Sequence, residues 1–402
     1  FNGKLKSCEI HLIPLSCQLI LSDLRLFSAI SKQVRRFEGL MMMEQPKMDD
    51  AVRSSGSVNG AIDVYACKES NSCAADHLVV MVNGILGSDT DWKFAAEQFV
   101  RTLPDKVFVH RSQRNVAIRT LDGVDVMGDR LADEVFEVVK RKPCLKKISF
   151  IAHSVGGLVA RYAIGKLYRP SMKHNPEISL ATSCEQNTQG TICGLRAMNF
   201  ITVATPHLGS RGNNQVPFLF GVNAFEKAAS LVIHWIFWRT GRHLFLTDYD
   251  DGKPPLLQRM AQDDGVYCFM SALRTFRRRV AYSNVGFDHI VGWRTSSIRR
   301  NSELPKLEDL ANEKYPHIVY EECCKASEVE ESRPVSEEGS RSDDLEDWLV
   351  TRLSQVTWEK VDVSFHSCRN RFAAHSVIQV KDHSWHSEGA DVIFHMIDHF
   401  LL

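Results

Sequence analysis

Long apolar runs are missing from this sequence. The nearest candidates, Ile10–Leu21 and Leu231–Trp238, are broken by His11, Pro14, Ser16 and Gln18 and by His234. Both fall short of the roughly 18 apolar residues that a membrane-spanning helix needs. Surplus charge is missing too: 49 Lys+Arg balance 49 Asp+Glu over 402 residues. That balance argues against a nucleic-acid partner, which calls for a basic face. The 11 cysteines contain no CxxC pair, so zinc ribbons and thioredoxin-like redox motifs are excluded. An odd, scattered set reads most simply as a reduced, cytoplasmic protein, with a single bridge such as Cys184–Cys193 left open. No internal repeat or low-complexity tract is visible. What the chain does have is a hydrophobic fraction of 44%, which excludes a wholly disordered polymer and provides for a full core.

Residues 1–47 read as a leader outside the fold. Phe1–Leu40 precedes Met41-Met42-Met43 at the head of more ordinary sequence, and the alternative is a signal or transit segment built on Ile10–Leu21. Residues 48–76 read as a flexible, polar lead-in. From there the texture is that of alternating strands and helices. Leu78–Asn83, Lys106–His110, Ile148–Ala152, Phe200–Ala204, Val280–Val285 and Val361–Phe365 are apolar runs of the kind buried on both faces of a parallel sheet. Between them Val124, Met127, Leu131, Val135 and Val138 fall on one helical face. Val392 to Leu401 form a last helical pattern behind Ser387 as cap. The expectation is an α/β fold with a mostly parallel, doubly wound sheet, spanning 77–300 and 358–402.

Two segments interrupt the alternation. Residues 211–253 carry Phe218, Phe220, Phe225, Trp235, Phe237, Trp238 and Phe245 and read as an apolar cap. It is either a wall for an acyl chain, a surface touching a membrane or lipid droplet, or an ordinary buried helix. Residues 301–357 read as an acidic, largely disordered insertion, since Glu321–Asp347 holds eleven acidic residues against three basic ones.

The strongest chemical signal is Ile151-Ala-His-Ser154-Val-Gly-Gly157 between an apolar strand and a helix. Small residues on either side of a serine suit a sharp turn that exposes the hydroxyl at the sheet's carboxyl edge, beside backbone N–H donors at the helix start. A second loop, Asn83-Gly84-Ile85-Leu-Gly-Ser88, follows the first strong strand. Gly84 lets the backbone turn close to a substrate, so we assign oxyanion donors to the N–H groups of Ile85 and Val155, with Gly84, Gly156 and Gly157 as the required small residues. A serine needs a base near neutrality. Of the late histidines, His375 is favoured for its small, apolar neighbours, with His366 and His383 next. The orienting carboxylate is Asp288, past the penultimate core strand, with Asp263 or Asp264 as the alternatives.

Taken together, Val82–Ser88 with Asp91-Trp92, Thr120–Val124, Phe150–Gly157, Thr205-Pro-His-Leu-Gly209, Asp288–Ser296 and Gly389–Ile393 resemble the eukaryotic putative serine esterase family of lipase-like α/β-hydrolases, most closely its plant branch. The likeness covers roughly His77–Ser210, Pro254–Ser297 and Trp358–Leu402. It implies an α/β-hydrolase fold and a Ser–Asp–His esterase acting on lipid or small acyl esters without metal or organic cofactor. Ser154, Asp288 and His375 take the triad positions. Asn83 stands where many lipases have His, and Ala152 where many have Gly. A thioesterase or acyltransferase using the same triad, or a catalytically silent fold serving as an interaction module, are the competing expectations.

Overall fold

The computed structural model describes residues 75–171, 190–210, 238–250, 252–306, 312–324, 326 and 342–402. The expected leader, nearly all of the lead-in, most of the expected cap and the Ser/Glu-rich part of the acidic segment lie outside these residues. The strands are β1 (His77–Val82), β2 (Val107–Arg111), β3 (Lys147–His153), the two-residue β4 (Tyr168–Arg169) and β5 (Thr191–Ile192), β6 (Arg196–Val203), β7 (Arg278–Asn284), β8 (Ile318–Cys324) and β9 (Trp358–Val363). Seven of them form one sheet in the order β2-β1-β3-β6-β7-β9-β8, and β4 and β5 pair separately. All neighbours in the large sheet are parallel except the edge strand β8, which runs antiparallel to β9.

The strands form where apolar runs let both faces of a sheet be covered. Every residue of β1 is buried, and its side chains alternate between two cores, as the twofold period of a strand requires. Leu78, Val80 and Val82 pack with Val124, Met127, Leu131 and Val135 of helix Val124–Arg141 and with Leu158 and Val159 of helix Val155–Leu167. Val79 and Met81 pack with Phe99 of helix Lys93–Thr102 and with Val392, Ile393 and Met396 of helix Ala390–Asp398. Each such side chain contributes about 1.5–3 kcal/mol on leaving water.

Two expectations need correction, and one open possibility is closed. The acidic insertion carries ordered structure: Ile318–Cys324 is the edge strand, and helix Ser342–Leu353 buries Leu345, Leu349, Val350 and Leu353. Its carboxylates have specific cations. Glu322 lies 2.9 Å from Arg299, whose guanidinium also meets Asp362 at 2.8 Å, and Glu346 pairs with Arg294. The last helix is capped by Gly389, not Ser387, which sits in a preceding short turn. Finally, Cys193 is a free thiol, so the Cys184–Cys193 bridge is not made. Cys144 is disulfide-bonded. No helix among the described residues is long and apolar enough to cross a membrane.

Buried histidines make this core acid-sensitive. Ser149 Oγ accepts from the N–H and side-chain amide of Asn199, so its own proton goes to His77 Nε2, 2.8 Å away. Burial first, then Lys147, lowers His77 to about 4. The unfolded chain therefore binds a proton that the native chain refuses, and stability falls as pH drops from 6.5 towards 4. For His77 alone the loss over that window is about 3 kcal/mol. Urea unfolding at pH 7 and pH 4.5 should show most of that drop, about 2 kcal/mol, in the parent and a shallower one in His77→Gln.

Candidate active site

The parallel register sets the strand ends side by side. Val82 stands opposite Ala152, His153 opposite Val203, and Asn284 opposite Val363. The chain runs from β1 outwards to β2 and then back across to β3, so β1 and β3 diverge at a switch point. Open α/β sheets bind ligands at such a point, outside the carboxyl ends of the strands. The loop after β1, the Ser154 turn after β3, and the segments after β6, β7 and β9 all emerge at this edge.

Ser154 turns the chain from β3 into helix Val155–Leu167 with φ 54° and ψ −134°, a region that L residues avoid at a cost of about 1–3 kcal/mol. Its N–H donates to Val203 O at 2.9 Å, which ties the turn to β6. Such a turn closes only if its neighbours are small. A Cβ on Gly84 would stand 2.8 Å from Ser154 Cβ, one on Gly156 would stand 2.5 Å from Asn83 O, and one on Gly157 would overlap Thr205. The loop after β1 is in turn fastened from outside. Asn83 Nδ2 donates to Asn115 O at 2.9 Å, and Leu86 N donates to Thr120 Oγ1 at 2.7 Å. The Thr120–Val124 motif meets helix Trp238–Leu244 as well, since Thr240 Oγ1 donates to Thr120 O and accepts from Gly123 N. The Thr205–Gly209 motif is bolted to the segment after β7, where Thr295 Oγ1 accepts from Leu208 N and donates to Gly209 O.

Of the histidines considered, the structure brings His375 to Asp288: Nδ1 donates to Oδ2 at 2.9 Å. Asp288 Oδ2 also accepts from Asn284 Nδ2 at 2.9 Å, and Oδ1 accepts from the N–H groups of Ile290 and Val291 at 3.0 and 2.8 Å. Burial opposes ionisation of Asp288, but His375 and these hydrogen bonds outweigh it and hold the carboxyl below its usual range. His366 is bonded instead to Ser364 Oγ, and His383 stacks on Phe94. Asp263 and Asp264 accept from backbone N–H groups of their own loop and of the helix that follows. His395 lies inside the sheet–helix layer against Tyr282.

Sequence reasoning missed two supports. Asn284 is one. The other is His153, whose Nε2 donates to the backbone carbonyl of His375 at 2.7 Å, with the two rings 4.5 Å apart. Burial first, and the neighbouring His375 second, hold His153 well below the usual histidine range. It is a neutral donor, so the residue next to Ser154 grips the residue that pairs with Asp288. Its place beside the turn serine was the signal; the partner, more than two hundred positions away, was not legible.

A parallel sheet with a strained serine turn at its switch point, and a carboxylate and a histidine delivered by its later strands, defines an α/β-hydrolase. A family model described as "Putative serine esterase (DUF676)" matches residues 72–298, more than half of the chain. The chain belongs to that family. The match includes Ser154 and Asp288 and ends before His375. Among curated relatives, "Putative lipase ROG1" of Saccharomyces cerevisiae is 29% identical over 231 residues, 55% of this chain and 28% of that protein. "Putative lipase C4A8.10" of Schizosaccharomyces pombe is 28% identical over 244 residues, 58% of this chain and 27% of that protein. The match therefore spans less than a third of the length of these relatives. Among solved structures, lipase BlEst2 of Bacillus licheniformis in its mature form matches with a TM-score of 0.31 and 16% identity, over 52% of this chain and 66% of that one.

The His153 bond is testable as a hydrogen bond. His153→Leu leaves a buried carbonyl without this donor and should cost about 1–3 kcal/mol in denaturant unfolding. His153→Gln retains an N–H donor of similar reach and should lose clearly less. Equal losses would mean that the ring's packing, not its donor, matters.

Proposed function

We propose that this chain is a serine hydrolase that cleaves carboxylic esters of lipids through an acyl-enzyme, with Ser154 as nucleophile, His375 as general base and Asp288 as its orienting carboxylate. The observation that carries the reading is the Asp288–His375 pair, held by His153 against the turn that bears Ser154. Because Asp288 accepts from Nδ1, the hydrogen of a neutral His375 resides there and Nε2 is a lone-pair base. That nitrogen takes the Ser154 proton as the hydroxyl attacks the ester carbonyl, and it returns the proton to the departing alcohol. Charge developing on the carbonyl oxygen is met by the N–H groups of Ile85 and Val155, and losing one such donor would cost about 3–4 kcal/mol of transition-state stabilisation. The ionised Asp288 stabilises the imidazolium. Water, activated by the same histidine, then releases the acyl group.

The names of the two yeast relatives support a lipid ester as substrate. So does a set of exposed apolar side chains on the segments around the site: Leu86 in the oxyanion loop, Ile118 before the Thr120 motif, Trp238 within the expected cap and Ile290 two residues past Asp288. Peripheral contact with a lipid surface through 211–253 belongs to the same proposal, although most of that segment lies outside the described residues.

Ser154→Ala should abolish labelling by a fluorophosphonate probe and lower hydrolysis of short p-nitrophenyl esters by at least about a thousandfold. Undiminished hydrolysis by the purified variant would refute the mechanism. For a lipid-directed enzyme, rates on a long-chain ester should climb steeply as substrate passes from monomers to micelles. A smooth, saturable curve would instead identify an esterase of dissolved substrates.

A further inference from the structure

The Gly389–Ile393 motif has no part in the chemistry above, yet its Asp391 is built into a second constellation. His317 lies just before β8, where its carbonyl accepts from Ser364 N at the end of β9. Its Nδ1 is 2.9 Å from Asp391 Oδ1, and its backbone N–H donates to Asp391 Oδ2 at 2.9 Å. On the other side of the ring, Nε2 is 3.0 Å from Cys368 Sγ. The carboxylate fixes the hydrogen of a neutral ring on Nδ1, so the Nε2 lone pair faces the thiol. Nucleophile, base and orienting carboxylate stand in the order that activates a weak nucleophile. The free thiols of Cys193, Cys268, Cys323 and Cys324 have no imidazole partner of this kind among the described residues.

We propose that Cys368 is a second nucleophilic centre, deprotonated by His317 as it attacks hydrogen peroxide. The reactant follows from the surroundings. Cys368 is buried, which admits only a small molecule, and the Glu388 and Asp391 carboxylates beside it disfavour anions. Burial, then those two carboxylates, push the thiol up to about 11, so the resting group is a thiol and its proton leaves during attack. Sulfur attacks one peroxide oxygen, an S–O bond forms and the O–O bond breaks. The thiol proton passes through His317 to the departing hydroxide, giving water. The product is a sulfenic acid, with sulfur oxidised by two electrons and peroxide reduced by two.

Cys368 lies on the segment that links β9 to His375, and its backbone holds that segment's turns: Cys368 N donates to Phe365 O at 3.0 Å and Arg371 N donates to Cys368 O at 3.4 Å. An oxygen added at Sγ enters the segment that positions His375. This consequence rests on the proposed Ser154 chemistry; the thiol chemistry does not.

The test is to expose the folded full chain to limiting hydrogen peroxide for timed intervals, remove the peroxide with catalase, unfold the chain in dimedone and quantify the adduct at each cysteine by mass spectrometry. Exposed Cys323 serves as the reference within the same molecule. Cys368 should be tagged several-fold faster than Cys323 in the folded parent, and His317→Gln should cut its rate about tenfold. Tagging of Cys323 at or above the rate of Cys368 in the parent overturns the proposal, whether or not the variant folds. In parallel, peroxide should lower fluorophosphonate labelling of Ser154, a thiol reductant should restore it, and Cys368→Ser should be insensitive. Labelling that persists in fully oxidised parent would remove the link to His375. Absence of labelling before oxidation would fail the hydrolase reading and leave the dimedone result to decide the thiol.

Discussion

The site depends on parallel pairing. Parallel strands cannot be joined by tight turns, so every connection leaves the sheet at one edge and returns through a crossover. Six strands, β1, β2, β3, β6, β7 and β9, therefore deliver their following segments to the same side. The pairing of His153 with Val203 and of Asn284 with Val363 puts the Ser154 turn and the Asp288 segment in neighbouring positions. Register matters as much as direction. A one-residue slip of β3 would exchange the side chains facing its two cores, and Phe150 and Ala152 of the one would trade places with Ile151 of the other. Because both faces are dry, that slip would leave the same apolar residues buried; it is opposed by close packing, since Phe150 and Ala152 would have to fill the space shaped for Ile151, and the serine turn inherits its position from that fit.

The turn itself shows how strain is confined. Ser154 adopts a backbone conformation that costs energy, and the compensation is local: the loop after β1 and the segment after β6 close on it through positions that carry no side chain. Gly84 meets Ser154, Gly156 meets the Asn83 carbonyl, and Gly157 meets Thr205. Three segments, each from a different strand, are thus interlocked around one residue. Substituting any of the three glycines would push on a neighbour that belongs to a different strand, so the constraint is shared and cannot be relaxed one segment at a time.

Much of this was legible in the sequence, for identifiable reasons. The strands of the large sheet buried on both faces announce themselves as unbroken apolar runs, and the serine turn as small residues between such a run and a helix. The edge strand β8 did not, because only Ile318 is buried and its glutamates face Arg299 and His395. Composition marked 301–357 as acidic, but composition does not say where the counter-charges are. Arg294, Arg299 and Lys360 come from other elements, so the ion pairs exist only once the chain is folded. For the same reason the pairing of Asp288 with His375 could be anticipated from chain order, whereas their contacts with His153 and Asn284 could not. The role of each is defined by a partner whose location is set by the sheet.

Two buried carboxylates near this edge differ in what holds their charge. Asp362 faces Arg299 and the Trp293 indole N–H, yet burial still raises its pKa above the usual range. Its partner is a permanent cation, so the pair has one charge state and serves to join β9 to the segment after β7. Asp288 is equally enclosed but is held below the usual range, with two backbone N–H groups among its donors. Backbone donors are fixed by the fold and do not titrate. They keep the carboxylate ionised whether its imidazole partner is neutral or charged, which is the condition a group must meet to stabilise a cation that exists only transiently. The difference lies in the partners and not in the depth of burial: a guanidinium makes a buried aspartate a strut, and an imidazole backed by backbone amides leaves it able to respond.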